Sequence, residues 1–134
     1  MDKVSSFSGR EALVFNRASL LRQCMEERAL AHNLLELYLT DLTPRATALR
    51  AALALGDRAA IQQVAHAIRG ASLTVGAVGM ARLTQDLENA GRRGLLPQAA
   101  EVLPELEQLL VATRAAMERM LNETGTAAPQ MAKT

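Results

Sequence analysis

The sequence has no tryptophan, one tyrosine and two phenylalanines, so Phe7, Phe15 and Tyr38 are its only aromatic residues. Any core must therefore be aliphatic. Leu and Ala supply most of the 49% hydrophobic content, and both are good helix formers. A single cysteine, Cys24, excludes an intramolecular disulfide and cannot build a metal site alone; the expected role is a buried or half-buried structural thiol. No apolar run approaches the ~20 residues needed to span a bilayer. Residues 1–10 are polar and lack the apolar centre of a signal peptide, so a cytoplasmic protein without membrane insertion is expected. Charge is nearly balanced, with 15 Lys and Arg against 14 Asp and Glu. That balance argues against a dedicated nucleic-acid binder, which usually carries a basic excess on one face. At 134 residues the chain has single-domain length.

What remains is helical periodicity, and no strand pattern interrupts it. Residues 1–14 show no clear period and read as a leader or linker. Asn16 is a good N-cap for a short helix over 17–22. A longer helix is expected over 26–39, with Leu30, Leu34, Leu37 and Tyr38 as one buried stripe. Thr43 and Pro44 suit the start of a second segment running to Gly56, which is compatible with one kinked helix or with two. Asp57 caps a helix over 58–75, ended by Gly76. The next spans 78–92, with Met80, Leu83, Leu87 and Ala90 facing inward. The last spans 97–122, with Pro104 expected to restart or kink it. Leu106, Leu109, Leu110, Thr113, Met117 and Met120 or Leu121 form its stripe. Residues 123–134 are small, polar and Pro-containing, and read as a disordered tail. The fold class expected is all-α: an antiparallel up-down four-helix bundle over 15–122, with the short N-terminal helix covering one end.

The helix over 58–75 carries the chemistry. Each residue advances about 100° around a helix. With Ile68 at the centre of the buried face, Ile61, Val64, Ala65, Ser72 and Val75 fall within about 60° of it, and His66 falls about 160° away. Gln62, Arg69, Gly70 and Leu73 share the side of His66. The sequence thus presents an imidazole to water with a cation one turn along and a glycine beside it. Imidazole is a nucleophile near neutral pH because its unperturbed pKa is about 6.5. Arg69 can offset the charge of an incoming phosphoryl group. Gly70 weakens the helix by roughly 1 kcal/mol relative to Ala, which suggests that a partner approaches closely there. Leu73 would add an apolar element to a docking patch. Spacing alone permits a phosphocarrier but equally describes a solvated surface histidine.

The string Ala65-His66-Ala67-Ile68-Arg69-Gly70-Ala71-Ser72-Leu73-Thr74-Val75-Gly76-Ala77 resembles the motif of histidine-containing phosphotransfer (HPt) domains. In that motif the histidine is followed by a basic residue three positions on, then Gly, small residues and a Gly-Ala helix break. Leu83 and Leu87-Glu88-Asn89-Ala90-Gly91-Arg92-Arg93-Gly94 resemble the next stretch. Val14-Phe15-Asn16-Arg17 and Leu34-Leu35-Glu36-Leu37-Tyr38-Leu39 match upstream. The resemblance covers residues 14–121. It implies a four-helix bundle whose histidine accepts a phosphoryl group from a receiver-domain aspartyl phosphate and passes it to a response regulator.

Carried over by position, His66 is the phosphoacceptor through Nε2, and Arg69 stands where Lys is usual. Glu88 occupies the place of a Glu or Gln that hydrogen-bonds the imidazole Nδ1. Gly70 admits the receiver's loops, Gln62 and Leu73 lie on the docking face, and Arg92 matches a basic position found in some members. The resemblance implies a carrier without kinase activity of its own, free-standing or attached to a hybrid sensor kinase. It implies no metal or cofactor on this chain, with Mg²⁺ supplied by the receiver, and a monomer. Two rivals are the phosphotransfer domain of a chemotaxis-type kinase and a receiver-binding bundle that carries no phosphate. A metal-binding bundle would want Glu-x-x-His pairs, and none occurs. His32 is expected to be structural or solvated.

Overall fold

A computed structural model of the chain describes residues 11–96 and 98–125, all of whose regular structure is helical. The leader over residues 1–10 and the tail over residues 126–134 lie outside the described residues. Beyond a helical turn at residues 11–14, the helices are α1 (Arg17–Gln23), α2 (Arg28–Leu55), α3 (Arg58–Val75), α4 (Val78–Arg93) and α5 (Ala99–Gly125).

Local chemistry sets most boundaries. The Asn16 side chain accepts from Ser19 N at 3.0 Å and starts α1. Asp57 does the same for α3 by accepting from Ala60 N at 3.2 Å. Gly56, Gly76 and Gly94 end α2, α3 and α4 in the left-handed region. Gly76 has a second constraint: a Cβ there would lie 2.7 Å from the Asn16 carbonyl oxygen. Asn16 N in turn donates to Gly76 O at 2.8 Å, so the end of α3 is locked onto the start of α1.

The expected 26–39 helix begins later, at Arg28, because Met25 and Glu26 are themselves left-handed (φ 53° and 64°). Its expected inward stripe is half borne out, since Tyr38 is buried and Leu34 packs against the core. Ala31, Leu35, Tyr38, Leu39 and Leu42 are buried, whereas Leu30 and Leu37 are 44% and 57% exposed. The expectation followed the bulky leucines; the core uses a neighbouring stripe in which the small Ala31, Ala46 and Ala52 are also buried. Pro44 and Pro104 lie inside α2 and α5 rather than starting new segments. Both prolines are exposed, as are Thr40 and Ala100 four residues before them. The carbonyls that each proline leaves without an amide partner therefore face the water side of the helix. The final helix also runs on to Gly125, past residue 122.

The four long helices form a ring of neighbours: α2 against α3, α3 against α4, α4 against α5 and α5 against α2, with α1 packed on α2 and α3. The core is aliphatic and thioether-rich, with Leu35, Leu49, Ile61, Ile68, Met80, Leu106 and Met117 fully buried. Cys24 is buried among them. Residues 11–14, expected as leader, are fastened to the far end of α5. Glu11 receives hydrogen bonds from Arg17 Nε at 3.0 Å and Arg119 Nη2 at 3.0 Å, and Arg17 also reaches Glu123 at 2.7 Å.

One polar pair crosses the core. Tyr38 Oη of α2 and Ser72 Oγ of α3 are 2.7 Å apart and buried. Burial pushes the Tyr38 phenol up to about 12, against weaker opposing effects of Ser72 and Arg45. Ser72→Ala is expected to cost about 1–3 kcal/mol, because it strands a buried hydroxyl. The Tyr38→Phe/Ser72→Ala double variant should recover much of that loss in denaturant unfolding. The raised phenol also predicts stability that is intact below pH 10 and declines as pH rises toward 12. Tyr38→Phe should flatten that decline.

Candidate functional site

Helix α3 turns two faces in opposite directions. Ile61, Ala65, Ile68, Ser72 and Val75 are buried, while the His66 side chain is 67% exposed. Residues 58, 62, 66, 69 and 73 follow helical spacing along the open side. Arg58, Gln62 and His66 line a shallow depression together with Ala59, Gln63 and, from α4, Glu88.

The position of α4 against this face is set by close contacts. A Cβ at Gly91 would lie 2.7 Å from Gln62 Cγ, so glycine lets the Gln62 side chain lie across α4. Arg58, the first residue of α3, donates from Nε to Gly91 O at 2.5 Å and from Nη2 to Arg92 O at 3.3 Å. These contacts satisfy carbonyls at the C-terminal end of α4, where a cation is also favoured by the helix dipole. They hold α4 in register with α3, and Glu88 comes opposite His66.

The Glu88 carboxylate then bridges two side chains of α3. Oε2 is 2.7 Å from His66 Nδ1, and Oε1 accepts from Arg69 Nε at 2.6 Å. The Glu88 side chain is only 12% exposed. Burial acts to raise its pKa, but the hydrogen bonds and charges of Arg69 and His66 outweigh burial and hold it below 4.5. An ionised carboxylate only accepts, so Nδ1 must carry the proton it receives. In the neutral ring the lone pair is then on Nε2, the nitrogen suited to nucleophilic attack.

His66, Arg69 and Glu88 thus come together as one cluster, with Gln62 a turn away. Gly70 is open: a Cβ there would meet nothing within 4 Å. Leu73 is 53% exposed on the same side. Arg92 is not part of the cluster; its Nη2 is hydrogen-bonded to Asn89 Oδ1 on its own helix. His32 is half-buried, and its Nε2 is buried without a hydrogen-bond partner among the described residues. Arg58 is the site residue that sequence reasoning missed. Its place two turns before His66 on the same stripe was the available signal.

Because Glu88 is more acidic folded than unfolded, its contribution to stability is present above pH 4.5 and is lost as pH falls through the lowered value. Thermal melts from pH 6 down to pH 3 should therefore fall more steeply for the wild type than for Glu88→Gln. Parallel curves would contradict the bridging role of the carboxylate.

A family model described as the Hpt domain matches residues 33–116. Among solved structures, the chain is similar to histidine-containing phosphotransfer protein B (HptB) from Pseudomonas aeruginosa PAO1. That likeness has 27% identity and a TM-score of 0.72, and covers 81% of this chain and 95% of the other. The HPT domain of an Hpt sensor hybrid histidine kinase from Shewanella shares the fold at 23% identity and a TM-score of 0.67. There 86% of this chain and 97% of the other are covered. No curated protein sequence matches the chain. With the family model spanning more than half of its length, the chain belongs to the Hpt-domain family, whose members carry phosphoryl groups in two-component phosphorelays.

Proposed function

We propose that this chain is a phosphorelay intermediate that accepts a phosphoryl group on His66 Nε2 from a receiver-domain aspartyl phosphate and returns it to a receiver of a response regulator. The observation that carries this reading is the Glu88 bridge, which holds Nδ1 in an exposed imidazole and leaves Nε2 toward solvent. The chain contributes a positioned nucleophile and a docking face, while the receiver contributes its carboxylates and Mg²⁺. No cofactor is needed on this chain for that division of labour, because in-line transfer depends mainly on positioning and charge neutralisation.

In this reading α2 to α5 run up and down as an antiparallel four-helix bundle, with α1 covering one end. The chain acts as a cytoplasmic monomer that keeps the His66 face open, either free-standing or as a module of a hybrid sensor kinase. Gln62, Gly70 and Leu73 lie under the docked receiver. Arg92, tied to Asn89, acts at most at the rim.

Gly70 separates docking from folding. Gly70→Ala meets no neighbour within 4 Å and should stabilise the chain by about 1 kcal/mol through helix propensity. The same methyl should slow transfer from a receiver. A variant that is more stable yet transfers normally would remove Gly70 from the docking face.

The direct test exposes the wild type and His66→Gln to a panel of phosphorylated receivers. Acid-labile, base-stable label on the wild type alone is the expected result. Equal label on both proteins would place the acceptor elsewhere. Binding of receivers without any label would favour a phosphate-independent docking bundle.

A further inference from the structure

The segment that leads into the bundle is held by charge and by close packing. Glu11, at the start of the helical turn over residues 11–14, is shared between two arginines. Its Oε2 accepts from Arg17 Nε at 3.0 Å and its Oε1 from Arg119 Nη2 at 3.0 Å. Arg17 also donates to both carboxylate oxygens of Glu123, at 2.7 and 3.2 Å. Charge therefore alternates along Arg119, Glu11, Arg17 and Glu123. These side chains are between 16% and 55% exposed, so salt screens them more readily than it weakens a core contact.

Beyond Glu11 the backbone lies on the place where α3 ends and α4 begins. A Cβ on Gly79, the second residue of α4, would stand 3.2 Å from Leu13 O and 3.3 Å from Val14 Cα. Asn16 N donates to Gly76 O, and the amides of Gly76 and Ala77 both close on Ser72 O. Ser72 itself is fixed to Tyr38 inside the core. The last turn of α3 thus has the residue 11–16 segment on one side and a buried anchor on the other.

We infer that residues 11–16 form a latch, held by the four alternating charges, that opens as one unit with the last turn of α3 while the rest of α3 stays folded. Opening withdraws Phe15 from the core, where it is fully buried, so the closed state dominates and the open one is a minor state. Fraying stops at Ser72, because its bond to Tyr38 does not involve the latch. Leu73 lies in the last turn and is exposed. A displacement of the entering segment is thereby transmitted to the docking face. That last consequence rests on the proposed function; the latch itself does not.

The test is native-state amide exchange, read by ¹H–¹⁵N NMR on the full chain as wild type, Glu11→Gln and Gly79→Ala. The first variant weakens the charges with little change of shape. The second places a methyl beneath Leu13 and Val14 and leaves the charges intact. The amides of Phe15, Asn16 and Ala77 report the latch, and those of Ile68 and Arg69 report the body of α3. In Glu11→Gln the first three should exchange faster together, roughly tenfold, as for one charge-assisted hydrogen bond reduced by solvent screening. Ile68 and Arg69 should not change.

Gly79→Ala should accelerate the same three amides. Raising salt shortens the screening length from about 10 Å at 0.1 M to about 3 Å at 1 M. It should open the latch in the wild type and have less effect in Glu11→Gln. Ala77 remaining protected while Phe15 and Asn16 open would separate the segment from α3 and overturn the latch. Equal acceleration of Ile68 and Arg69 would make the opening global, and unchanged exchange in Glu11→Gln would remove the charges; either overturns the inference. Exchange needs no phosphoryl donor, so its outcome is independent of whether receivers label His66.

Discussion

One carboxylate organises the exposed face of α3. Glu88 receives His66 Nδ1 on one oxygen and Arg69 Nε on the other, and everything else in the neighbourhood serves to bring that carboxylate to that place. Without Arg69 the partly buried carboxylate would lose its largest opposing influence against desolvation. Without Glu88 the exposed imidazole would be free to rotate and to exchange tautomers. The bridge fixes the ring of an exposed surface histidine, which the proposed function requires of an oriented nucleophile.

The bridge depends in turn on α4 lying close and in register along α3. Gly91 provides the space for Gln62, and Arg58 binds the closing carbonyls of α4. On the opposite side of α3 the Tyr38–Ser72 pair ties it to α2, and Gly76 packs against Asn16. Helix α3 is therefore held at both ends and along its inner face, while its outer face is left free. A rigid element supporting an open side chain suits a group that must meet a partner's active site with little reorganisation.

Much of this was legible from residues alone. The α3 boundaries follow from Asp57 and Gly76, and its buried residues follow from helical angle, because a short helix with clear caps leaves little choice. The α2 stripe was misplaced onto Leu30 and Leu37 because hydrophobic bulk was weighted over small residues, and alanines carry part of that interface. Whether Pro44 and Pro104 break or only kink their helices stayed open, because a lone sequence cannot show that each faces water on a packed helix. Glu88 was reached through the resemblance of its surrounding segment rather than through spacing. Contacts between helices, such as Arg58 on the α4 carbonyls and Arg69 on Glu88, depend on register across two elements, which periodicity within one element does not encode.

In the proposed function Glu88 engages Nδ1 and Nε2 is the atom that reacts. This is tested most directly by ¹⁵N–³¹P correlation NMR on the phosphorylated chain, which identifies the ring nitrogen bonded to phosphorus. A single phosphohistidine, at His66 and linked through Nε2, is the expected result. Linkage through Nδ1, or phosphorus on another residue, would contradict it.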